Sequence, residues 1–123
     1  MREIIKKYFE EIAKNLSIIA ATDSENKKMD FNLAILDAVG LINKCSDSRK
    51  KVMFIGNGAS ASISSHMAAD FLKNGKIKAM TFNDGPLLTC VGNDCGYHYV
   101  FEKPVGIFAD EGDILVAISS SGS

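Results

Sequence analysis

With 123 residues, the chain is long enough for one domain with a genuine core and too short for two. Hydrophobic residues make up 46% and charged residues 24%, which argues against a disordered chain. A net charge of −1 leaves no basic field for nucleic acid or anionic lipid, so neither is expected as a partner. A local phosphate site is still open, because backbone amides bind phosphate without net positive charge.

Residues 2–21 carry Ile5, Phe9, Ile12, Leu16 and Ile19 at spacings of three and four, which predicts an amphipathic helix. Glu10 and Glu11 interrupt the start of any hydrophobic leader, and no apolar run approaches the roughly 18 residues of a membrane span. Residues 22–29 are polar and turn-like. A second helix is expected from Asp30, a good N-cap, with Phe31, Ile35, Ala38 and Ile42 as its apolar stripe. Two striped helices offer apolar surface to the rest of the domain or to another subunit.

Val52-Met53-Phe54-Ile55 is a wholly apolar run of the kind that forms a strand buried on both faces of a parallel sheet. A helix over 60–73 follows, stopped by Asn74-Gly75. A second strand is expected over 77–82, and a helix capped by Asp84 with Pro86 in its first turn. Residues 97–109 read as a helix bent or broken at Pro104. Residues 110–113 form a turn, and Ile114–Ile118 a third apolar strand.

This alternation predicts an α/β fold: an open parallel sheet with flanking helices, flavodoxin- or Rossmann-like, with right-handed crossovers. The expected division is a helical hairpin over 1–48, serving oligomerisation, and the first part of an α/β domain over 49–123. A covering helix is expected after the third strand, so the sequence reads as the front part of a longer domain. Cys45, Cys90 and Cys95 are odd in number and lack metal-type spacing, which suits reduced thiols in a cytoplasmic protein.

The chemistry concentrates in two loops. Gly56-Asn57-Gly58-Ala59-Ser60 joins the first buried strand to a helix N-terminus, where glycines allow close approach and the helix end attracts anions. An unliganded tight turn fits the same residues. So does the dinucleotide pattern G-x-G-x-x-[GA], but Asp84 lies too late for its acidic partner and suits a helix cap better, so no nucleotide cofactor is expected. Ser119-Ser120-Ser121-Gly122-Ser123 is a second hydroxyl-rich loop, or a flexible tail. In a parallel sheet both loops fall on one edge and can close on one phosphate. His66 and Asp70, four apart, share a helix face as a base or metal pair or as a plain surface pair. Asn93 and Asp94 suit either a turn or contact with sugar hydroxyls.

Taken together these residues resemble the sugar isomerase (SIS) domain family. The family's strand followed by G-N-G-G-S is matched by Phe54-Ile55-Gly56-Asn57-Gly58-Ala59-Ser60. Its H-F-A-x-E-[LF] is matched by His66-Met67-Ala68-Ala69-Asp70-Phe71, and its S-C-V-G-N-D-x-G-[FY] by Thr89–Tyr97. Its E-G-D-[VI]-L-[LV]-x-I-S-[TS]-S-G-[NR] appears as Glu111–Ser123. The resemblance implies aldose–ketose isomerisation through an enediol. Its expected substrate is sedoheptulose 7-phosphate, and the aldoheptose 7-phosphate formed serves surface polysaccharides. It places Asn57, Gly58, Ala59, Ser60, Ser119, Ser120 and Ser121 on the substrate and Asn93 and Asp94 on sugar hydroxyls. His66 and Asp70 fall where the family has a zinc-ligand pair, Asp70 being also the base. The leading helices imply a homotetramer.

Two departures stand beside it. The family base is a glutamate, and Asp70 withdraws the carboxylate by about 1.5 Å, where a misplacement of about 1 Å can cost on the order of 100-fold in rate. The family's later segment, with a further catalytic histidine and metal ligand, has no counterpart in these 123 residues, and His98 matches no family catalytic position. The resemblance therefore implies that these residues alone are inactive. A non-catalytic SIS protein, binding a sugar phosphate or a protein partner as a regulator, is the alternative.

Overall fold

The computed structural model describes residues 1–122. Two compact units are present, Met1–Gly40 and the chain from Leu41 onward. In the first, helix α1 spans Arg2–Ser17 and buries none of its residues. It stops short of the expected residue 21. The Ser17 hydroxyl turns back to donate to the Lys14 carbonyl at 2.7 Å, and the β-branched pair Ile18-Ile19 follows.

The stretch expected to be only a polar turn is a small antiparallel hairpin. Strand β1 (Ala21–Thr22) pairs with β2 (Lys28–Met29), Ala21 opposite Met29. Asp23 shapes its loop: its carboxylate accepts from the Glu25 and Lys27 N–H groups at 2.8 and 2.9 Å. Asn26 takes the left-handed conformation that asparagine tolerates, φ 61°. Helix α2 (Phe31–Asp47) then starts as its cap predicts, with Asp30 Oδ1 accepting from Leu33 N–H at 3.0 Å.

The second unit is built on strand β3 (Lys51–Gly56), helix α3 (Ala59–Lys73), strand β4 (Lys78–Thr81), helices α4 (Gly85–Cys95) and α5 (Tyr99–Phe108), and strand β5 (Ile114–Ile118). The sheet order is β4-β3-β5, all parallel, with Val52 beside Ile114 and Gly56 beside Ile118. The α/β class and the parallel sheet are therefore as expected. Strand alternation sends Val52 and Phe54 to one face, where they pack with Cys45 and Ala68 and against Phe71, Ile77 and Val116. The Phe54 and Phe71 rings meet edge to face at 5.1 Å. Met53, on the other side, is just as buried, which is why β3 reads as an unbroken apolar run. On β5 burial alternates instead, and Leu115 stays 46% exposed.

Pro104 neither breaks nor ends its helix. It sits buried inside α5, which closes normally through Ala109 N–H to the Val105 carbonyl. The missing N–H removes one helical bond, and burial of the ring offsets that loss. Asp84 caps α4, its Oδ1 accepting from Leu87 N–H at 3.0 Å, with Pro86 in the first turn. Asp84→Ala is expected to cost about 1 kcal/mol in chemical denaturation; an unchanged midpoint would show that the cap contributes nothing.

At the opposite end of the sheet, Asp113 clamps the start of β3 to the turn before β5. It accepts from the backbone N–H groups of Lys51 (2.9 Å) and Asp110 (2.7 Å) and pairs with the Lys51 ammonium. Burial pushes the Asp113 carboxyl up, but the Lys51 ammonium and these two N–H donors outweigh it and bring the pKa down to about 2.

Candidate functional site

The glycine loop and the serine loop meet at the C-terminal ends of β3 and β5. Gly56 closes β3 with no space for a side chain: a Cβ would lie 2.9 Å from the Ile118 carbonyl oxygen and 2.8 Å from Ser60 Cβ. Glycine here is a steric demand, set by the close approach of α3 to two strand ends. Gly58 caps α3 at φ +57°, a left-handed conformation that favours glycine. The first turn tightens, Ser60 N–H bonding the Asn57 carbonyl and Ala61 N–H that of Gly58. Across the gap, Gly122 N–H donates to Ser119 Oγ at 2.9 Å, and Ser119 Oγ lies 3.4 Å from Ser121 Oγ.

Between the loops lies an open cavity of about 300 Å³. Its lining combines Gly56, Asn57, Ser60, Ser119, Ser120 and Ser121 with the apolar Ile55, Phe101, Ala117 and Ile118. Lining residues thus include hydroxyls, an amide and a helix N-terminus, with no charged side chain. An anion held here would rest on hydroxyl donors and the helix dipole. Ser123 lies outside the described residues.

Other residues singled out from the sequence are not among those lining the cavity. Gly58 and Ala59 open α3. His66 Nε2 and Asp70 Oδ2 are 3.3 Å apart on α3, 77% and 42% exposed, and Asn74 Nδ2 also donates to Asp70 Oδ1. Asn93 Nδ2 donates to Asp94 Oδ1 at 2.8 Å near the end of α4, both side chains exposed. Asp94 also takes a contact from the Cys90 thiol, and this hydrogen bond and the carboxylate's charge hold that thiol above its ordinary pKa. Cys45, Cys90 and Cys95 are free thiols, Cys45 being buried.

Two positioning contacts escape the sequence reading. Tyr97 Oη donates to Asn57 Oδ1 at 2.7 Å across 40 residues, and the only signal for it was the aromatic ending the Thr89–Tyr97 motif. Asn83 Nδ2 donates to the Ala61 carbonyl and to Ser65 Oγ, at 2.7 and 3.0 Å, tying the exit of β4 to the first turns of α3. Among the described residues, no group of three or more His, Cys, Asp or Glu converges as a metal site. His66 and Asp70 are two donors, where a catalytic zinc takes three protein ligands.

No family profile matches the chain. Curated relatives do. The phosphoheptose isomerase of Clostridium acetobutylicum is 35% identical over 114 residues, covering 87% of this chain and 58% of that protein. That of Rhodospirillum rubrum is 39% identical over 98 residues, covering 73% and 51%. Among solved structures, a phosphoheptose isomerase from Neisseria gonorrhoeae superposes with a TM-score of 0.75 at 29% identity, over 96% of this chain and 60% of that one. One from Francisella tularensis gives 0.77 at 27%, over 95% and 60%. The chain thus spans little more than half the length of these curated relatives. In fold and motifs it is similar to the sugar isomerase (SIS) domain family. Within that family, the proteins it matches in sequence and structure are phosphoheptose isomerases.

Proposed function

We propose that the protein carrying this chain binds a phosphorylated sugar between the two loops and isomerises it, with sedoheptulose 7-phosphate as substrate and D-glycero-D-manno-heptose 7-phosphate as product. The observation that carries this reading is the convergence of Asn57, Ser60 and Ser119–Ser121 on one cavity at the C-terminal edge of a parallel sheet. The names of the relatives support the substrate class.

In this reading the phosphate rests on Ser60 and the Ser119–Ser121 hydroxyls at the N-terminus of α3, joined by the amides of Gly58 and Ala59. Asn93 and Asp94 hold sugar hydroxyls. Asp70 takes the proton from the carbon beside the carbonyl and returns it to the former carbonyl carbon, while a proton passes from the neighbouring hydroxyl to the carbonyl oxygen, giving the enediol in between, and His66 orients Asp70. A zinc ion, when bound, would polarise the carbonyl as a Lewis acid; His66 and Asp70 would be two of its ligands, with others drawn from outside the described residues. The exposed stripe of Ile5, Phe9, Ile12 and Leu16 on α1 supports self-association; that the assembly is a homotetramer in the cytoplasm is what the family resemblance implies.

The second reading is a non-catalytic sugar-phosphate or protein binder. Its support is the solvent-facing His66–Asp70 pair, which lies outside the cavity lining and carries an aspartate where the family has a glutamate. Incubating the complete protein with sedoheptulose 7-phosphate in deuterated water separates the two. Deuterium entering beside the carbonyl, with aldose formed, is expected by NMR. Binding without exchange would favour the second reading, and no binding would sink both sugar-phosphate readings.

A further inference from the structure

The role inferred here rests on the sugar-phosphate reading above and concerns a residue outside the substrate set. Asn57 lies between the cramped Gly56 and the left-handed Gly58, so its backbone is fixed by its neighbours. Its side-chain amide is not: an amide can present either its oxygen or its NH₂ group to a ligand, and the two ends are nearly equal in shape. Phosphate and sugar oxygens accept hydrogen bonds, so only the NH₂ end serves them well.

Tyr97 supplies the missing constraint. Its Oη donates to Asn57 Oδ1 at 2.7 Å, which engages the acceptor end of the amide. Gly96 turns the chain at φ +104°, and the Tyr97 ring passes close to Gly92, where an added Cβ would come within 3.8 Å of Tyr97 Cδ2. The phenol thereby links the end of α4, which carries Asn93 and Asp94, to the loop that opens α3.

We propose that Tyr97 is a positioning residue that sets the orientation of the Asn57 amide, turning its NH₂ group to the phosphorylated ligand as a donor. It does not itself touch the reacting atoms. A phenylalanine at this position would keep the ring and remove only the hydroxyl.

The test compares Tyr97→Phe, Asn57→Ala and the double variant in the complete protein. Titration with sedoheptulose 7-phosphate should show Tyr97→Phe binding about five- to tenfold more weakly, the worth of one hydrogen bond. KM should rise by the same factor with kcat nearly unchanged, and thermal stability should hold. In the Asn57→Ala background the Tyr97→Phe change should have no further effect on binding. The proposal is overturned if the two effects simply add, or if Tyr97→Phe binds like the unaltered protein. A readout independent of any sugar keeps this separate from the proposed function. The Asn57 side-chain NH₂ resonances should shift in Tyr97→Phe without ligand, and unmoved resonances sink the positioning role even where the sugar phosphate binds. Shifted resonances in a protein that binds no sugar phosphate would uphold the Tyr97–Asn57 contact but overturn the ligand-presenting role together with the proposed function.

Discussion

Gly56→Ala is expected to destabilise the protein by about 3 kcal/mol or more, because overpacking a tight site typically costs about 1–3 kcal/mol even where side chains can yield. Here two of the three atoms in the way are backbone. A methyl group at residue 56 would meet the Ile118 carbonyl oxygen and the Ser60 carbonyl carbon at 2.9 Å, and Ser60 Cβ at 2.8 Å. Relief requires that α3, β3 and β5 move apart, and those are the elements that bring Ser60 toward Ser119–Ser121. Stability and ligand affinity should therefore fall together. Gly106→Ala in α5 is the control: nothing lies within 4 Å of the added Cβ, and alanine suits a helix interior better than glycine. Urea denaturation of both variants decides the matter, and a Gly56→Ala protein as stable as its parent would show that the close approach is not a constraint.

The second large effect concerns the other end of the sheet. Asp113→Asn should lower stability by about 2 kcal/mol near neutral pH, since a carboxyl held about two pKa values below its ordinary one stabilises the fold by roughly that amount. The sign follows from the depressed pKa. Above the ordinary value of 3.8 the carboxylate is charged in both folded and unfolded chains, and its favourable contacts contribute fully. As pH falls from there toward about 2, the unfolded chain takes up the proton first and the contribution is lost. The gap between the two proteins should be constant above about pH 5 and already narrowing at about pH 3. A gap that ignores pH would mean that packing, not the charge of Asp113 beside Lys51, supplies the stability.

Much of the fold is legible in local pattern. The unbroken apolar run of β3 reflects its central place, buried on both faces. Asp30 and Asp84 mark helix starts because a short carboxylate reaches the third N–H along, and both bonds are present at 3.0 Å. Shorter-range features were harder to read. The two-residue strands β1 and β2 hold too few residues for any alternation, and Asp23 organises their turn through its own side chain. That α5 runs unbroken through Pro104 is not legible in the sequence, because the cost of the missing N–H is visible there and the burial of the ring is not.

The two loops were recognisable as glycine- and serine-rich segments after apolar strands, and a parallel sheet brings such loops to one edge by its topology alone. Sequence by itself thus determined the types of the longer elements, the parallel class of the sheet and the residues of the two loops, because these follow from period, capping and backbone freedom within a few residues. Only the tertiary structure decided the order β4-β3-β5, the crowding that makes Gly56 indispensable, the Tyr97–Asn57 bond across 40 residues and the Lys51–Asp113 clamp across 62. Each is a contact between segments far apart in the chain. Local propensity carries no information about such contacts, which exist only once the hydrophobic core has fixed where each element lies.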